Sequence, residues 1–214
     1  MSGPTRRTLA RRLESVEDFT EPSARLEQYL TPSELASHLC HLAQLHGDLG
    51  AQVVDLGTGT GMLAIGASLA GADRVVGIDV DVGALKVARR NVRAVAADGV
   101  DERRIEWVRG DVARHPFSVT HATVLSNPPF GAQRGNRHAD RRFLETAAEI
   151  GAVSYTIHNE GSQTFVESFA DDEDGTVTHA FRAAFPIPKR FAFHTTAEET
   201  LEAEVFRIEW GERA

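Results

Sequence analysis

Three scarcities frame this chain of 214 residues. A single cysteine, Cys40, excludes an internal disulfide framework and a cysteine-built zinc site. Only two lysines, Lys86 and Lys189, stand among 23 basic residues, so the rest are arginine. No apolar run approaches the roughly 20 residues of a membrane span. Arg6, Arg7, Arg11 and Arg12 are not followed by the apolar stretch of a signal peptide. These absences point to a cytoplasmic protein without membrane contact. His38, His41 and His46 have no metal spacing, so no metal site is expected. With a net charge of −8, the chain is not a generally basic coat for nucleic acid, and any such contact must be local. Excess acid with almost no lysine fits a salt-adapted, archaeal type of proteome. There is no internal repeat.

What is present is ordinary for a globular protein. Hydrophobic residues make up 42% and charged residues 25%, enough for one α/β domain with a sizeable core. Leu9, Leu13 and Val16 follow helical spacing, predicting an amphipathic helix over residues 5 to 17. Thr31-Pro32, with Glu34 behind them, read as an N-cap and first turn of a second helix. Gln28 and Tyr29, polar residues just before that cap, have no such structural explanation.

The first buried strand, Gln52 to Leu56, runs into Gly57-Thr58-Gly59-Thr60-Gly61 and then an apolar helix. Strand, glycine turn and helix form a nucleotide-binding opening. Asp55, two residues before the first glycine, repels a pyrophosphate and suits a cation or an α-amino group. This loop resembles that of S-adenosylmethionine-dependent methyltransferases, although a dehydrogenase stays open on the loop alone. The next strand ends in Asp79, about 20 residues on, where an acid accepts from ribose hydroxyls. Asp81 is assigned to the cap of the following helix. Asp111 at a third strand exit can accept from an adenine amine, with Val112 against the ring; a plain Gly-Asp turn is an equal local reading.

The fourth strand ends in Asn127-Pro128-Pro129-Phe130. Two prolines remove two backbone donors and force a rigid, extended exit. The Asn127 amide oxygen and the Pro128 carbonyl can accept both protons of a planar amino group, and Phe130 can stack on its ring. A strand-ending turn is the bland alternative. Arg134, Arg137, Arg141 and Arg142 then form a basic loop suited to a phosphate backbone, or else a solvated face. Lys189-Arg190-Phe191 with His194, lying between two long terminal strands, mixes charge and aromatics as single-stranded nucleic acid requires.

Together these residues resemble the methyltransferase-like 5 family, adenine-N6 methyltransferases of small-subunit ribosomal RNA. The segments that carry the resemblance are Leu26 to Tyr29 with Thr31, Asp55 to Gly61, Gly77 to Asp81, Asn127 to Gly131, Val153 to His158 and Lys189 to His194. Leu30 stands where the family has proline. The resemblance implies a Rossmann-like, class I α/β fold whose seven-stranded, mostly parallel sheet has an antiparallel terminal strand. One domain would span 1–214, with residues 1–46 a helical segment covering the cofactor and 47–214 the core. It implies S-adenosylmethionine held by Gln28, Tyr29, Thr31, Asp55, Gly57, Gly59, Thr60, Gly61, Met62, Asp79, Asp111, Val112 and Asn127. It implies catalysis at Asn127 to Phe130, RNA as substrate, and a small zinc-binding activator subunit on the edge strand, residues 104 to 109. Trp107 is the apolar residue expected on that edge; the alternative is that it faces inward and simply fills core. Protein glutamine or DNA adenine methylation shares the clamp, and a non-enzymatic ribosome-assembly factor shares every binding feature.

Overall fold

A computed structural model describes residues 3–96, 99–129, 139–188 and 198–211. Its centre is a seven-stranded sheet in the order β3-β2-β1-β4-β5-β7-β6. The strands are β1 (Val53–Leu56), β2 (Val75–Asp79), β3 (Ile105–Arg109), β4 (Ala122–Ser126), β5 (Gly151–Asn159), β6 (Thr176–Pro188) and β7 (Glu198–Glu209). The first five are parallel, and β7 runs antiparallel between β5 and β6. β1, β2, β4 and most of β5 are buried on both faces, as a sheet covered by helices on each side demands.

Helices α1 (Arg6–Leu13), α2 (Ser33–His46), α3 (Met62–Leu69) and α4 (Val82–Ala94) cover one face. Helices α5 (Ala139–Ile150) and α6 (Gln163–Asp172) cover the other. Residues of α1 and α2 join the same core cluster as the strands, with Leu9, Leu13 and Leu39 fully buried. No helix among the described residues is long and apolar enough to cross a membrane.

Register brings the strand exits level. Leu56 pairs with Ile78 and Ser126, and Ile78 with Val108, so four carboxyl ends open side by side. A crevice beyond those ends is where open α/β sheets bind ligands.

Several local expectations shift. The first helix stops at Leu13 rather than residue 17, with the Thr5 side chain accepting from the Thr8 amide. Arg141 and Arg142 belong to the first turns of α5, not to a loop. β3 is an edge strand, yet Trp107 turns inward: its ring lies 2.8 Å and 2.7 Å from where a Cβ on Gly61 or Gly77 would stand. The indole therefore fills space that two glycines leave open, and it is not an exposed docking residue.

Candidate active site

The glycine turn after β1 is shaped from behind. Gly57 and Gly59 have φ of +68° and +55°, the left-handed region that favours glycine. A Cβ on Gly57 would stand 2.8 Å from the Phe143 ring, and one on Gly59 2.8 Å from Phe19. Asp55 braces the turn: its carboxylate accepts from the Thr58 hydroxyl at 2.6 Å and from the Ala64 amide at 3.0 Å. Burial pushes the Asp55 carboxyl up to about 7, against the pull of those two bonds. This acid does not line the cavity, contrary to the expectation of a counter-charge for an ammonium group. It stands 1% exposed behind the loop, and Gly61 caps α3 beside it.

Asp79 is differently placed. One carboxylate oxygen accepts from the Gly59 amide at 2.8 Å and the other from the Asp81 amide at 2.8 Å. Two backbone donors thus fix the group at the cavity wall, while burial raises its pKa above the usual carboxylate range. Each oxygen keeps a second lone pair for a ligand hydroxyl. Asp81 accepts from the Gly83 amide at 2.7 Å and so caps α4 as expected. Asp111 likewise caps its own turn by accepting from Ala113, and both it and Val112 line the cavity.

The cavity in front of these residues measures about 440 Å³. Thr60, Met62 and the two glycines at 57 and 59 form one end, and Val80 and Val112 give apolar walls near Asp79. Gln28, Tyr29 and Thr31 roof it. The Gln28 amide bridges the chain, donating to Asp81 at 2.7 Å and accepting from the Ser23 amide at 2.7 Å. Thr31 is not the helix cap it resembles: α2 begins at Ser33 with no side-chain cap, and the Thr31 hydroxyl oxygen accepts from Asn127 Nδ2 at 2.9 Å.

Asn127 is the point of greatest chemical interest. Its Oδ1 is the one buried side-chain polar atom without a hydrogen-bond partner among the described residues. An orphaned buried acceptor costs roughly 1–3 kcal/mol, so its persistence needs an explanation. Pro129 shares the cavity wall with it, whereas the Pro128 side chain is buried beneath. Phe130, Arg134, Arg137, Lys189, Arg190, Phe191 and His194 lie outside the described residues. Arg142 lines the cavity mouth. Arg141 points elsewhere, paired with Glu145 at 3.0 Å and stacked 5.3 Å from the Phe169 ring centroid.

Comparison with known proteins gives the family. Residues 35–152 match the family model "Methyltransferase small domain". The rRNA N(6)-adenosine-methyltransferase Mettl5 of Drosophila melanogaster is 32% identical over 96% of this chain and 96% of its own. The chain belongs to the Mettl5 family of methyltransferases. An uncharacterised protein of Methanocaldococcus jannaschii is 37% identical over 92% of this chain and 90% of its own. A candidate RNA methyltransferase of Pyrococcus horikoshii superposes with a TM-score of 0.85 at 36% identity, covering 98% and 99% of the two chains.

For a Mettl5 family member, the reading by residue type misses three contributors. Phe19 and Phe143 wall the cavity over the two glycines. Phe143 sits at helical spacing and reads as core; Phe19 follows no period at all. Asn91, fully buried on α4, holds the Thr60 carbonyl at 2.9 Å and exchanges hydrogen bonds with the Glu17 backbone. That clasp delivers Phe19 to Gly59. A polar residue on the apolar side of an otherwise regular helix is the only signal for it in the sequence.

Proposed function

We propose that this chain transfers a methyl group from S-adenosylmethionine to the exocyclic N6 amine of an adenosine in small-subunit ribosomal RNA. The observation that carries the reading is the orphaned acceptor, the buried Oδ1 of Asn127, a residue that lines the same cavity as Asp79. Such an atom suits a ligand N–H donor, and the names of the Mettl5 relatives give the donor's chemistry.

The residues present fit the cofactor. A volume of about 440 Å³ lies within the range of small-molecule sites. Asp79, held by two amides, would accept from ribose hydroxyls, and Val112 and Val80 would flank the adenine, with Asp111 toward its edge. Gly57, Gly59, Thr60 and Met62 would take the amino-acid tail beneath Gln28, Tyr29 and Thr31. Asp55 and Gly61 would serve from behind by shaping the loop. When bound, S-adenosylmethionine supplies an electrophilic methyl group on a sulfonium.

The chain's own task is orientation. An adenine amine is a poor nucleophile because its lone pair is delocalised into the ring. Asn127 Oδ1 and the Pro128 carbonyl, accepting its two protons, would hold the nitrogen and free that lone pair. Well-oriented reactants gain roughly 7–11 kcal/mol, enough to carry the step without a strong base. Phe130 and the basic residues Arg134, Arg137, Arg142 and Lys189 to His194 would receive the flipped base and its backbone. Arg141, already paired with Glu145, would contribute less.

The test is direct. Small-subunit rRNA, DNA and ribosomal protein are each incubated with isotopically labelled S-adenosylmethionine, digested, and read by mass spectrometry. Label in N6-methyladenosine of the rRNA is the expected product. Label confined to glutamine or to DNA overturns the substrate assignment.

The edge strand supports a further part of this reading, a zinc-binding activator subunit of the family type pairing with β3. Gly110 donates to the Asp79 carbonyl, so alternation turns the backbone amides of Trp107 and Arg109 away from β2. Exposed donors on an edge can be completed by a partner's strand. Arg109→Pro removes one of them without touching the indole, and should abolish co-purification with the subunit. A wild-type chain that stays monomeric beside that subunit refutes the pairing.

A further inference from the structure

The roof of the cavity and the acceptor clamp meet at one hydrogen bond. Thr31 and Asn127 are 96 residues apart in sequence, yet Asn127 Nδ2 donates to Thr31 Oγ1 at 2.9 Å. Thr31 is 7% exposed. Its segment is pinned by Gln28, which ties the Ser23 amide to Asp81, and Asp81 in turn caps α4. The Thr31 hydroxyl is therefore delivered to Asn127 by a fixed strut.

This matters because a carboxamide is two-faced. Rotation by half a turn about the last side-chain bond exchanges its oxygen for its NH2 group. Facing an amine substrate, the oxygen accepts, whereas the NH2 would set donor against donor. Asn127 Oδ1 has no partner of its own among the described residues. Nothing at the oxygen end thus holds the group, and Thr31 supplies its one anchor among those residues. Because a hydroxyl can accept from the NH2 or donate to the oxygen, that anchor fixes the amide plane and the amine substrate selects the accepting rotamer. We propose that Thr31 is a positioning residue, holding the Asn127 amide in place so that Oδ1 can meet the acceptor amine. The inference rests on the amino-clamp reading above and names the residue that orients it.

Thr31→Val keeps the shape and removes the acceptor; Thr31→Ser restores it. At saturating S-adenosylmethionine and with small-subunit rRNA, Thr31→Val should lose at least ten-fold in kcat, and Thr31→Ser should recover to within about three-fold of wild type. Cofactor Kd, measured by calorimetry, separates this from a covering role, because it should move less than kcat. A readout independent of turnover is the Asn127 side-chain NH2 signal in a ¹⁵N spectrum, assigned by its loss in Asn127→Ala. Protection of that signal from solvent exchange should persist in Thr31→Ser and vanish in Thr31→Val. Should the valine variant melt below the assay temperature, Thr31→Ala serves in its place. Normal kcat in the variant lacking the hydroxyl, beside an inactive Asn127→Ala, overturns this inference and leaves the clamp standing. Normal methylation by Asn127→Ala overturns the clamp itself.

Discussion

Two buried polar clusters sit at opposite ends of the parallel strands, and they are built to different rules. At the amino ends, Arg207 of β7 donates to Asp48 at 2.9 and 3.1 Å, to the Tyr155 hydroxyl at 3.0 Å and to Thr178 at 2.7 Å. Tyr155 donates to Asp48, whose backbone carbonyl accepts from Thr123. Arg207 is 6% exposed, and its neighbours leave it fully engaged. At the carboxyl ends, Asn127 has one partner for its nitrogen and none, among the described residues, for its oxygen. Burial is common to both clusters. Completeness is not, and the incomplete one belongs to a residue that lines the cavity.

The contrast predicts that damage to the two ends is read in different assays. Arg207→Met should have the largest effect on stability, roughly 3–5 kcal/mol, because it strands the Asp48 carboxylate inside. Chemical denaturation measures the loss, while turnover per folded molecule should stay at the wild-type level. A loss below about 1 kcal/mol would mean that the closed cluster is not a staple.

Between the clusters in size comes His158, behind the clamp. Ser126, the residue before Asn127, meets the Thr156 hydroxyl at 3.0 Å, and Thr156 meets His158 Nε2 at 2.9 Å. Burial against Phe165 and Phe206 lowers the His158 pKa from 6.5 to about 4. Between those values the unfolded chain binds the proton and the native protein does not, so stability falls as pH falls from about 6.5 to 4. A shift of this size corresponds to about 3 kcal/mol. Asp55, raised to about 7, acts in the opposite sense over an overlapping range, favouring the native state as pH falls. The comparison must therefore be with His158→Gln, which should gain on wild type by about 3 kcal/mol between pH 7 and pH 4. Parallel pH profiles for the two proteins would contradict the buried neutral imidazole.

The same contrast explains what could be read from the sequence. Strand exits, the glycine turn, the Asp81 cap and the antiparallel end of the sheet follow from local pattern, since each depends on residues a few positions apart. Thr31 beside Pro32 has a sufficient local account as a cap, and that account fails because a bond across 96 residues takes the hydroxyl instead. Asp55 was legible as part of the turn but not as lying behind it, because facing cannot be derived from spacing within a tight loop. Trp107 on an edge strand suggested exposure; Gly61 and Gly77 decide otherwise by making room for its ring. Arg207 reads as one polar position in an alternating strand, and its partners come from β5, β6 and the turn before β1.

The smallest expected change in stability belongs to Asn127→Ala, and it is the most informative. Removing the amide deletes one hydrogen bond and one unpaired acceptor together, so the unfolding free energy should move by less than about 1 kcal/mol. Methyl transfer to small-subunit rRNA by the same preparation should fall by at least about 100-fold, the scale set by losing one aligned polar group at a reacting centre. Denaturation and labelled-methyl transfer, measured side by side on wild type and Asn127→Ala, test whether the orphaned oxygen is reserved for substrate. Near-normal transfer, or a stability loss of several kcal/mol with transfer per folded molecule unchanged, would place Asn127 with the closed cluster and contradict the account.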